Sequence, residues 1–243
     1  MVAPAKEWYP YDTTIVKLED LVRRGLLHPL TDAMEWIVPE DKETPELSSG
    51  YIISFVAFHE RGLAMPPHRF FRGLVHYYDI ELQHLNPNDI QHIIVFMMLC
   101  KGFLAIEPDF RLWKFFSCEL FIGKDSQRRL LPMPVGCASI RLWSCHCSRE
   151  YMHIKVAGSN WGWHNSWFYL CNTLATPMPS FTGRTFSEAP THWWWGPDMK
   201  KERPKLKAHL EGNDYLKKCG LTGAGVIVAY HNRRLVPLMA RAF

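Results

Sequence analysis

Residues 84–100 read His84-Leu85-Asn86-Pro87-Asn88-Asp89-Ile90-Gln91-His92-Ile93-Ile94-Val95-Phe96-Met97-Met98-Leu99-Cys100, HLNPNDIQHIIVFMMLC. Asn86 is a helix cap, Pro87 fits the first helical position where a missing N–H costs nothing, and Asp89 favours the positive helix end. Leu85 and Ile90 stand at the spacing of a hydrophobic staple. From Ile93 onward the run is apolar on nearly every side, which predicts a helix at the centre of the core. This eight-residue run, Ile93–Cys100, is the longest apolar one, far short of the ~20 residues that span a bilayer.

Outward from this helix, IEPDF (106–110) breaks the pattern and RLWKFFSCELFI (111–122) continues the apolar layer. On the N-terminal side, Pro66 and Pro67 suit a helix start. Phe71, Leu74, Val75 and Tyr78 follow at i, i+3, i+4 and i+7. The stretch YIISFVAF (51–58) has no deciding period; a helix is expected, because helices follow it. It runs into FHERGL (58–63), which begins as a zinc-protease helix does, with His59-Glu60. That motif needs a second His four residues after the first, on the same helix face. Leu63 stands there, and Gly62 with Pro66-Pro67 argues against a continuing helix.

Residues 1–50 form an N-terminal helix (TTIVKLEDLVRRGLL, 13–27, with Ile15, Leu18, Leu21 and Val22 on one side) and an acidic linker, VPEDKETPELSSG (38–50). In the remainder, 51–243, helices are expected over 51–122 and antiparallel strands over 136–172. Within CASIRLWS (137–144) and EYMHIKVAG (150–158) apolar residues alternate with polar or aromatic ones. SWFYLCN (166–172) gives a third strand. A Trp/Pro-rich connection and a basic C-terminal helix fill 173–243, with a cap near Thr222 and a stop or kink at Pro237. The fold class is therefore α+β: a predominantly helical N-terminal layer on a small three-stranded antiparallel sheet, with a C-terminal helix.

The 243 residues are 47% hydrophobic and 14% aromatic, a globular composition that excludes a disordered chain. No N-terminal signal precedes this body, and seven cysteines without one suggest free thiols and an intracellular, cytoplasmic or nuclear location, with no membrane contact. The net charge of +4 hides a split: residues 1–50 hold 5 basic and 10 acidic side chains, residues 196–243 hold 10 and 4. A chain acidic at one end and basic at the other is suited to self-association or to nucleic acid, although such charge is often only solvated surface.

Several segments together resemble one family. FHERGLAMPPHRFFRGLVHYY (58–78), HLNPNDI (84–90), FMMLCKGFLAIEPDFRLW (96–113), MPVGCASIRL (133–142), SNWGWHNSWFYL (159–170) and GLTGAGVIVAYHNRRLVPLMAR (220–241) are similar, in order, to the gypsy-type transposon (retrotransposon gag-like) domain of plant retroelement proteins. The chain departs from that pattern at Lys101, where an acid is common, and at Trp161, where a basic residue is common. The resemblance implies a gag-like position in a long-terminal-repeat element, and it carries no catalytic residues. FHERGL then looks like a structural signature at a helix end.

A transposase or integrase holds two metal ions with three carboxylates. Asp12, Asp20, Asp32, Asp79, Asp89 and Asp109 fall in helical, linker or capping contexts, so no enzyme activity, cofactor or small-molecule substrate is expected. Cys145, His146 and Cys147, with Cys137 or His153, are the candidate metal ligands, set against a hairpin turn carrying unpaired thiols. The spacing of a zinc knuckle is absent.

The remaining candidate is a surface. Arg141, Trp143, Tyr151, His153 and Lys155 share one face of the expected strands, where cations could hold a backbone while bases stack. The competing reading packs that face under the tryptophan-rich segment. Lys200, Lys201, Arg203, Lys205 and Lys207, with Arg233 and Arg234, would add phosphate affinity for RNA or DNA. The expected role is a non-catalytic accessory protein. The rivals are a domesticated protein–protein interaction domain and a transposase-type nuclease.

Overall fold

The structure, a computed structural model, describes Trp8 and residues 10–31, 35–39, 45, 50–78, 80–116, 119–121, 135–141, 161–172, 178 and 199–232. In chain order the elements are α1 (Ile15–Arg23), β1 (Trp36–Ile37), β2 (Tyr51–Phe55), α2 (Val56–Glu60), α3 (Arg69–Tyr77), α4 (Pro87–Met98), α5 (Phe110–Phe116), β3 (Glu119–Phe121), β4 (Ser139–Arg141), β5 (Trp167–Cys171), α6 (Met199–Lys218) and α7 (Gly223–Tyr230). The α+β class is as expected.

Helix α4 forms for the reasons its sequence states. The Asn86 side chain accepts from the backbone N–H groups of Asn88 (2.9 Å) and Asp89 (3.1 Å), and Asp89 accepts in return from the Asn86 N–H at 3.1 Å. Pro87 sits at the first turn. Leu85 and Ile90 are fully buried, as are Ile93, Val95 and Phe96. Phe96, Phe70 and Trp113 meet ring to ring, which joins α4, α3 and α5. Helix α7 packs on α4 from another side, burying Val226.

The expected helix over 51–58 is corrected at its first half. Tyr51–Phe55 is a strand, paired antiparallel with β5 in the register Ile53↔Tyr169, and helix begins only at Val56. An apolar run buried at four consecutive positions has no period of its own. The choice was made by β5, more than 100 residues downstream. A three-stranded antiparallel sheet does form, in the order β1-β5-β2, but only β5 among its members was expected as a strand. Ser139–Arg141, expected beside it, pairs instead with Glu119–Phe121 in a separate two-stranded sheet. Residues 119–121 are therefore also a strand where helix was expected. The segment 150–158 lies outside the described residues.

Helix α1 buries Leu18 and Leu21, as its stripe requires, but Ile15, expected on the same side, is exposed. Helix α3 starts two residues later than Pro66-Pro67 suggested, with His68 as cap: its Nδ1 accepts from the Phe70 N–H at 3.1 Å. At the C-terminal end the structure holds two helices. Helix α7 is capped by Thr222 as expected; Pro237 lies outside the described residues. Before it stands α6, 20 residues long and reading in sequence only as a charged segment.

Candidate functional site

The His-Glu of FHERGL points two ways. His59 is 1% exposed, while Glu60 lies on the surface, 3.1 Å from Arg24. Burial pushes the His59 imidazole down to about pH 4, so it is neutral. Its Nδ1–H donates to the Leu26 carbonyl (3.3 Å), which leaves Nε2 to accept from the Ser54 hydroxyl at 2.9 Å. A Ser–His pair normally suggests nucleophile activation. Here Ser54 is fully buried and the far ring nitrogen meets a carbonyl, not a carboxylate. The pair ties β2, α2 and the end of α1 together. Ser54→Ala leaves a buried acceptor unsatisfied and is expected to cost about 1–3 kcal/mol by denaturant titration; an unchanged midpoint would deny the tie.

Gly62 closes this motif. Its φ of +94° is the left-handed conformation that ends α2, and a Cβ there would stand 3.2 Å from Ile94 Cγ2 on α4. The signature at a helix end is thus literal, and it seats α2 on the central helix.

Of the candidate interface residues, Trp143, Tyr151, His153, Lys155, Arg233 and Arg234 lie outside the described residues, as do Cys145, His146 and Cys147. Arg141 ends β4. Cys137 is half-buried, and desolvation raises its thiol pKa. Among the described residues no three His, Cys, Asp or Glu side chains gather where they could hold a metal ion, and no helix is long and apolar enough to cross a membrane.

Lys200, Lys201, Arg203, Lys205 and Lys207 all fall on α6, within its first nine residues, against one acid, Glu202. His209 and Asn213 are buried, and Gly212 lies so close to Leu104 that a Cβ would come within 2.6 Å of Leu104 Cδ2. The helical period places positions 200, 203 and 207 on the face opposite 209, 212, 213 and 216. Lys207 is well exposed, 3.7 Å from Glu211. The helix is anchored in its second half, and five of its seven lysines and arginines lie in its first nine residues, the other two, Lys217 and Lys218, in its last turn. Sequence reading missed this element because Pro204 interrupts it and no apolar stripe marks it.

A second polar cluster surrounds the end of α4. Residues Leu99–Phe103 form a π-helical turn, closed by the Leu104 N–H on Leu99 O (3.0 Å) and the Ile106 N–H on Cys100 O (2.9 Å). Ala105 follows with φ +53°. Lys101 on this turn lies 3.1 Å from His68 Nε2 and 3.4 Å from Glu107, which also meets Arg69 at 3.3 Å. Burial, then the Lys101 charge, lowers His68 to about pH 4. Partial burial works against the Glu107 charge, but Lys101 and Arg69 prevail and hold its carboxyl below the usual range. The one sequence signal for this cluster was Lys101 itself, a base where the resembling proteins carry an acid.

Residues 52–120, under a third of the chain, match the family model described as "Putative gypsy type transposon". No curated protein and no solved structure matches the chain. The matched stretch runs from β2 into β3, so it contains the buried Ser54–His59 tie, the capped central helix and the Lys101 turn. Over residues 52–120 the chain is thus similar to the gypsy-type transposon family.

Proposed function

We propose that this protein is a non-catalytic, gag-like accessory protein of a plant retroelement that holds the phosphate backbone of RNA or DNA weakly along α6. The observation that carries this reading is the separation within α6 between an anchored half and a half bearing five cations. Cations spaced along one helix neutralise phosphates without reading bases. His59, His84 and Asp89 support a non-catalytic role, since their hydrogen bonds serve caps and element junctions.

Titration of fluorescent single-stranded RNA over a salt series tests it. Three to five neutralised phosphates give a slope of log Kobs on log salt of about −2 to −3.5. Replacing Lys200, Arg203 and Lys207 by Gln should flatten the slope by about 2. Binding that ignores salt, or ignores these substitutions, rejects the reading.

Self-association is the companion reading, favoured by the opposite charge of the two ends and by the exposed Ile15 and Val16 on α1. Light scattering reports it, and a strict monomer at all concentrations rejects it.

A further inference from the structure

We infer that Arg69 and Lys101, on the face formed by α3 and the π-helical turn, are a second phosphate-contact site, and that Glu107 screens it by occupying the position of the phosphate. The inference rests on the nucleic-acid reading but concerns different residues. Two backbone irregularities fall within seven residues: the π turn at Leu99–Phe103 and the left-handed Ala105. Both are unfavourable locally, and such features gather where a chain must aim side chains. What they aim here is Lys101 toward His68 and Arg69, with Glu107 brought back across the gap two residues after Ala105.

The geometry suits a displaceable anion. One Glu107 oxygen faces Lys101 at 3.4 Å and the other faces Arg69 at 3.3 Å, so a single carboxylate bridges two cations and leaves a net positive charge. Both contacts are long and exposed, with Arg69 at 73% and Glu107 at 58%, which places each ion pair among those worth about 0–1 kcal/mol. A phosphate offers more acceptor oxygens to the same guanidinium and ammonium. At the last residue of α3, Lys114 of α5 donates to the Tyr77 hydroxyl at 3.2 Å and lies 5.4 Å from the centre of that ring, a further cation on the α3–α5 side.

The substitution E107Q removes the screening charge at an exposed position and keeps the cations. In the full chain it should tighten binding of a single-stranded RNA oligonucleotide roughly threefold to tenfold at low salt and steepen the salt slope by about 0.7 per phosphate gained. The double substitution R69Q/K101Q removes both cations of this site. Added to E107Q, it should erase the gain. An E107Q protein that binds no better, or whose gain survives without Arg69 and Lys101, overturns the inference. The α6 substitutions run beside it keep the two readings apart: loss of binding there with no E107Q gain rejects only this site. A gain that depends on Arg69 and Lys101, in a protein whose parent binding ignores the α6 substitutions, supports this site and rejects the α6 reading.

Discussion

Acidification from pH 6.5 to about 4 is expected to destabilise this protein steeply. Five imidazoles, His59, His68, His84, His92 and His209, are lowered to about 4, with burial the largest cause in each. A group with a depressed folded pKa contributes stability that is present above its unfolded value, about 6.5, and is lost as pH falls toward the folded one. For His59, wholly buried, the shift corresponds to roughly 3 kcal/mol. Asp89 acts in the opposite sense. Burial raises it to about 6 against the hydrogen bonds it accepts from Ile140 and Asn86, so its contribution is full below about 3.8 and is lost as pH rises through 6. Five imidazoles against this one carboxyl decide the sign. Thermal melts followed by circular dichroism should show the midpoint falling continuously below pH 6.5. A midpoint that stays level down to pH 4 would mean that these imidazoles are hydrated.

The second large effect is expected from Asp89→Ala. The Asp89 carboxylate accepts from the Ile140 N–H at 2.7 Å with one oxygen and from the Asn86 N–H at 3.1 Å with the other, so it caps α4 and receives β4 at once. Around it the Asn86 amide donates to Ala138 O (3.1 Å), the Ala138 N–H to His84 O (2.8 Å) and the Gly136 N–H to Gln83 O (2.9 Å). Removing the carboxylate leaves two inward-facing N–H groups without an acceptor, an expected loss of about 2–4 kcal/mol. Asp89→Asn keeps one oxygen and should lose roughly half of that. Urea unfolding of the three proteins ranks them; equal midpoints would show that β4 is held by its strand pairing alone. Because the alanine variant also lacks the one group that opposes the histidines, its remaining stability should fall faster on acidification.

These elements show what could be read in advance. The start of helix α4 was legible to the residue because everything that sets it lies within six positions, 85–90: a cap, a proline, an acid and a staple. The function of Asp89 toward β4 was not, since its partner is 51 positions away. Tyr51–Phe55 failed for the same reason. A continuous apolar run satisfies helix and strand alike, and its hydrogen bonds go to Trp167–Cys171. At the candidate site the cations of α6 were named one by one, yet the helix that arrays them was not. Its docking depends on a glycine meeting Leu104 and on two buried polar residues, none of which has a local pattern. The π turn escaped because backbone irregularity has no compositional mark.

On the proposed nucleic-acid reading, the anchoring of α6 by Gly212 would limit how much of a polynucleotide one copy can grip. The cationic turns, residues 199–207, extend about 13 Å along the helix axis. So short a footprint can pin only a few successive nucleotides, and each protomer alone should dissociate readily. If the proposed binding holds, retention on a long strand would then come from avidity, as neighbouring copies raise one another's effective concentration and a filled lattice outlasts any single attachment.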